Sequence, residues 1–204
     1  MELHEALTQI SEIRLQMART EVFRGYRSVP VAFSGLLALL AAGIQPYWVP
    51  DPAQNFTAYL VLWAGVAVVS VLAAGTEMWI RCQRSASPLT REITWLAVEQ
   101  FLPGVVAGVL LTFVLGSCAP ESLALLPGLW QMLYSLCIFA SCRLLPRKIF
   151  WVAAFYLVAG SLCLVLARGP AALSPWAMGV PFSVGQLLAA AVLYWTLERN
   201  DASD

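Results

Sequence analysis

A chain of 204 residues that is 60% apolar and 12% charged carries about half the charge of a soluble domain, for which about a quarter is usual. Its mean hydropathy is +0.74. Twelve basic residues balance twelve acidic ones, so there is no strong field to steer a polyanion. An ordinary soluble fold, a disordered chain and a nucleic-acid binder are excluded; the predicted class is an all-α integral membrane protein.

Residues 1–28 are expected to form a cytoplasmic or interfacial amphipathic helix. Leu3, Leu7, Ile10, Ile13 and Met17 recur on one face, while Glu5, Gln9, Glu12, Gln16 and Arg19 follow the other. Arg14, Arg19, Arg24 and Arg27 form a basic series approaching the membrane, where anionic headgroups attract each charge by about 1 kcal/mol near the surface. The segment has two readings: it lies against the inner membrane face or packs under the helices, or it docks a cytoplasmic or membrane partner. No apolar stretch precedes Val29, and Glu2, Glu5 and Glu12 come before any Arg or Lys, so a cleaved signal peptide is not expected.

Six apolar runs follow: Val29 to Trp48, Ala58 to Ile80, Phe101 to Cys118, Leu123 to Cys142, Ile149 to Ala167 and Trp176 to Leu197. Each matches the roughly 20 residues that cross a bilayer core about 30 Å thick. The runs are continuous rather than alternating, which predicts helices and not barrel strands. Residues 29–197 therefore read as a six-transmembrane-helix bundle of three antiparallel hairpins, with 198–204 as a cytoplasmic tail. In the loop between the second and third runs, Ser87-Pro88 has the form of an N-cap followed by proline in the first turn, so a helix should start there and run into the third span. Trp48, Trp79, Trp95, Trp151, Trp176 and Trp195 lie near run ends, as an interfacial aromatic belt requires.

Charge sets the expected orientation. With the amino terminus inside, Arg14, Arg19, Arg24, Arg27, Arg81, Arg84, Arg91, Arg143, Arg147, Lys148 and Arg199 all face the cytoplasm, and Arg168 alone lies outside. A multi-pass protein of a bacterial inner membrane with both termini cytoplasmic is the resulting expectation. Pro127 precedes Gln131 by four positions and Pro181 precedes Gln186 by five; duplicated hairpins or chance similarity between Leu/Ala-rich helices would each produce this echo.

The chemistry that is missing narrows the function. His4 is the only histidine and Lys148 the only lysine, and no phosphate-loop, zinc-protease or CxxC motif occurs. Paired-histidine haem ligation, His-dependent triads and a mid-membrane Schiff base lack their residues, so neither an enzyme nor a cofactor is expected. Two carboxylates supply too few ligands for most catalytic metal sites. The five cysteines have no motif spacing and read as small apolar side chains; Cys118 and Cys163 are the one pair worth testing for a disulfide.

Five residues stand out as a polar pathway or as helix contacts: Glu77, Glu99, Pro103, Gln131 and Gln186. Glu77 is placed to pair with Arg81 at i+4. Pro103 deprives the Glu99 carbonyl of its helical donor, which would let that carboxylate and carbonyl form a cation or proton site at a kink. Gln131 and Gln186 can bond across helices or line a polar cavity, joined by Thr112, Tyr134 and Ser135. Small-residue ridges (Ser34, Ala38 and Ala42; Gly104 and Gly108; Gly185 and Ala189) would let helices approach closely, within one chain or in a homo-oligomer. The leading expectation is a membrane-embedded interaction, scaffold or signalling subunit that meets the lipid bilayer and a partner through residues 1–28. The alternative is a small transporter or channel for an ion or small solute, using Glu77, Glu99, Gln131 and Gln186.

Overall fold

The computed structural model describes residues 27–84, 88–142, 145–166 and 171–199. The amphipathic helix expected in 1–28, with Arg14, Arg19 and Arg24, lies outside these residues but for its last two positions. The described elements are all helices, and no strand occurs among the described residues. Its helices are α1 (Ser28–Trp48), α2 (Phe56–Arg84), α3 (Pro88–Cys118), α4 (Leu126–Ser141), α5 (Ile149–Leu166) and α6 (Pro175–Leu193). A 3-10 segment, Pro120–Leu125, leads into α4, and a π-type turn, Tyr194–Glu198, ends α6. Six helical stretches are long and apolar enough to cross a membrane, so this is a multi-pass membrane protein by length and composition.

Helix starts follow local chemistry. The described part of α3 runs from Pro88; Ser87, the expected N-cap, lies outside the described residues. Pro127 and Pro175 stand in the first turns of α4 and α6, where a missing N–H costs nothing and φ is already helical. The fourth run splits because Pro120–Leu125 winds as a tighter 3-10 segment before α4 begins. At the other end of the chain, the sixth run ends as a π-type turn rather than continuing as α-helix through Leu197.

The most extensive helix faces join α1 to α6 and α4 to α5; α2 rests on α1, α3 rests on α4, and α2 and α3 barely touch. The expected ridge on α1 keeps Ala38 and Ala42 but has Gly35 in place of Ser34. Val31, Gly35, Ala38, Ala42 and Gln45 form its buried stripe, whereas the Ser34 hydroxyl turns back to the Val31 carbonyl. Gly35 meets Ser183 and Gln186 of α6, and Gly179 of α6 meets Ala42. On α3, Gly104 accommodates Cys137 of α4 and Gly108 approaches Leu133, so that GxxxG serves contact within the chain. The Gly185 position on α6 is filled by the Tyr156 ring.

Two apolar clusters result. One, toward the Trp48 end of α1, gathers Ala38, Ala42, Tyr59, Leu62, Trp63, Leu173 and Met178; the other, toward the Ser28 end, gathers Val31, Ile138, Val152, Tyr156, Ala190 and Leu193. The six tryptophans near run ends are all exposed, while Trp63 is buried and Trp130 half-buried. By contrast with the inner helices, the Val98–Cys118 stretch of α3 buries no residue.

Between α4 and α5 the close approach is to backbone as well as to side chain. A Cβ on Gly128 would stand 2.6 Å from Leu164 Cγ and 2.8 Å from the Gly160 carbonyl oxygen. The carbonyl belongs to a helix backbone and cannot yield without parting the helices. Gly128→Ala is therefore expected to lower unfolding stability by about 1–3 kcal/mol, measured by thermal unfolding in detergent. Gly116→Ala on α3, where a Cβ meets nothing within 4 Å, should be neutral or gain up to about 1 kcal/mol.

Candidate functional site

Polar side chains inside the molecule fall into three groups along the helices. Nearest the Trp48 end, Gln45 is 1% exposed. Its amide donates to the Leu173 carbonyl at 2.9 Å, and its carbonyl oxygen accepts the Trp63 indole N–H at 2.9 Å. One glutamine thus ties α1 to α2 and to the turn preceding α6. Trp130 makes a similar tie from α4 to α3, donating its indole N–H to the Thr112 hydroxyl at 2.9 Å.

Beside that group lies Gln131, fully buried on α4. Its amide N–H donates to the Ala177 carbonyl of α6 at 2.9 Å. Ala177 is four residues before Pro181, which lies inside α6, so no N–H from residue 181 reaches that carbonyl. Gln131 fills the gap that the proline opens. Its Oε1 has no hydrogen-bond partner, and neither does the hydroxyl of Tyr59, also fully buried.

At mid-depth, the Gln186 amide donates to the Tyr134 hydroxyl at 2.6 Å, and the Tyr156 hydroxyl donates to the Phe182 carbonyl at 3.3 Å. Tyr134, Tyr156 and Phe182 pack ring against ring, with Phe101 of α3 edge-on to Tyr134. Ser135 donates to the Ala153 carbonyl of α5 at 2.7 Å. Near the Ser28 end, Glu198 holds the start of α1: its Oε1 accepts the Ser28 N–H at 2.8 Å, and the Ser28 hydroxyl lies 2.9 and 3.0 Å from its two oxygens. A carboxylate there meets the unpaired N–H groups and positive end of the helix dipole.

The structure distributes the sequence-predicted residues rather than assembling them. Gln131 and Gln186 are buried with different partners, as helix contacts. Glu77 is half-buried on α2; the pairing expected with Arg81 falls on a side chain outside those described. Glu99 and Pro103 are exposed on α3, which continues as helix through Pro103. Arg27 is exposed just before α1. All five cysteines are free, so Cys118 and Cys163 are not paired.

Sequence reasoning missed Gln45, Tyr59, Trp63 and Glu198. A signal existed for Gln45, the one strongly polar side chain in the first apolar run, but its place beside Pro46 reads as the approach to a loop. Glu198 reads as tail because it follows the last apolar residue. No protein-family model, curated protein or solved structure matches the chain.

The Glu198 contact gives a direct prediction. Glu198→Ala should lower stability by about 0.5–2 kcal/mol, the range for losing a helix N-terminal cap, as measured by denaturant or thermal unfolding in detergent. An unchanged midpoint would mean that the carboxylate does not secure the start of α1.

Proposed function

We propose that this protein is a non-enzymatic interaction subunit of a bacterial inner membrane, with six spans in three antiparallel hairpins and both termini in the cytoplasm. The observation that carries this reading is the length of α2 and α3. They run for 29 and 31 residues, about 44 and 46 Å at 1.5 Å per residue, against a hydrocarbon core of about 30 Å. Their excess falls where α2 ends and α3 begins, with Arg81 and Arg84 on α2 and Arg91 on α3. By chain alternation this is the side that carries residues 1–27, the basic stretch Arg143, Arg147 and Lys148, and the carboxyl terminus. Eleven of the twelve basic residues gather there, which supports the cytoplasmic assignment. The polar, partner-accessible chain is thus concentrated on one face.

Transport is the second reading, and it requires Glu77, Glu99, Gln131 and Gln186 to share a path. The amide nitrogens of the two glutamines instead donate to the Ala177 carbonyl and the Tyr134 hydroxyl, while Glu99 is exposed. That arrangement favours helix cohesion.

The test is copurification from native membranes with three forms: the wild type, a chain lacking residues 1–26, and a chain with Arg81, Arg84 and Arg91 each changed to Glu. A stoichiometric partner should accompany the wild type and be lost from at least one altered form whose thermal midpoint is unchanged. A solitary wild-type protein, or one whose partner survives both changes, contradicts the reading.

A further inference from the structure

The π-type turn that ends α6 lies where the last helix meets the start of the first. The face that α6 turns toward α1 and its neighbours steps through Gly179, Ser183, Gln186, Ala190 and Leu193. Those strides of four and three residues are the stride of an α-helix with 3.6 residues per turn. Continued in the same form, the next stride reaches position 197, a leucine. The helix changes before it gets there: from Tyr194 to Glu198 it is a π-type turn, with the Arg199 N–H on the Tyr194 carbonyl five residues back. Such a turn takes up one residue more than an α-helical one, so the place due to position 197 passes to 198. There the Glu198 carboxylate accepts the Ser28 N–H at 2.8 Å and lies 2.9 and 3.0 Å from the Ser28 hydroxyl. Helical side chains lean toward the helix N-terminus, which lets a glutamate one turn past Leu193 reach back to the start of α1. Within the turn, the Thr196 hydroxyl donates to the Val192 carbonyl, the acceptor that a continuing α-helix would give to the N–H of residue 196. The Arg199 guanidinium lies 4.4 Å over the Trp195 ring.

We propose that residues 194–198 are a two-register switch that latches the end of α6 to the start of α1. In the π register Glu198 faces α1, and its carboxylate sits at the positive end of that helix, on an N–H that has no partner within α1. In the α register Leu197 takes the place, the carboxylate turns away, and the Ser28 N–H loses its acceptor. A π turn is rare in its own right; the bonds to Ser28 hold this one open. The latch couples the carboxyl-terminal tail to the chain that enters α1. A pull on the tail that breaks the Glu198–Ser28 contact lets the last turn of α6 rewind as α-helix.

Removing the extra residue tests the register. A chain lacking Thr196 can run as unbroken α-helix and still carry its glutamate at the place that faces Ser28. Glu198→Ala should then lower the thermal midpoint of the shortened chain by about as much as that of the full-length chain, about 2–4 °C at this size. A drop confined to the full-length chain means that the deletion has rotated the carboxylate off Ser28, and it overturns the proposal, as does no drop in either chain. A crystal structure of the full-length Glu198→Ala protein in lipid tests the latch without relying on the shortened chain to fold. Residues 194–198 should there be α-helical; a retained π turn overturns the proposal.

Discussion

The bond from the Gln131 amide to the Ala177 carbonyl is the contact on which the packing of the inner helices turns. A helix in an apolar medium must satisfy its own backbone, and Pro181 leaves Ala177 unable to do so from within α6. The donor comes from α4 instead. That exchange sets the depth at which α4 and α6 lie beside one another. From it follow the Gln186–Tyr134 bond further along the same two helices and the ring cluster around Phe182. Gln45 plays the matching part for the Leu173 carbonyl at the entrance to α6. Such bonds contribute on average about 0.6 kcal/mol and at most about 1.7 in membrane proteins, so their value lies in register as much as in strength.

Between these polar ties, close packing holds the helices. Lipid tails are as apolar as leucine, so helices gain from contact only where backbones approach closely. Gly35, Ala38 and Ala42 on α1 meet Gly179 and Ser183 on α6, and Gly128 meets Gly160 across α4 and α5. The outer helices are built differently. The apolar stretch of α3 buries no residue, and its attachment to α4 rests on Gly104 at Cys137 and on the Thr112–Trp130 bond. α2, by contrast, puts Tyr59, Leu62 and Trp63 into the apolar cluster against α1 and is tied to it by the Gln45–Trp63 bond.

Much of this was legible in the sequence, and the reasons for the rest are specific. The six runs are visible because apolar length is a one-dimensional property. Gln131 and Gln186 stand out because an isolated amide in an apolar run either bonds across helices or lines a polar path, and the sequence does not choose between the two. Their partners were not visible, because which carbonyl lies opposite Gln131 depends on the register of α4 against α6. Pro181 was noticed for its spacing from Gln186, yet its consequence falls on Ala177 and Gln131, in another helix. The α1 ridge was misplaced onto Ser34 because a small polar residue and Gly35 are equally small in a pattern, and only the facing helix selects between them. Glu198 was missed because helix capping across 170 positions has no sequence signature.

The most direct test is a double-mutant cycle on Gln131 and Pro181, read by reversible unfolding in detergent. Pro181→Ala returns an N–H to the Ala177 carbonyl from within α6, which makes the Gln131 donor less necessary. The account predicts that Gln131→Leu is more destabilising in the native background than in the Pro181→Ala background, by about 0.6–1.7 kcal/mol. Equal losses in the two backgrounds would contradict it.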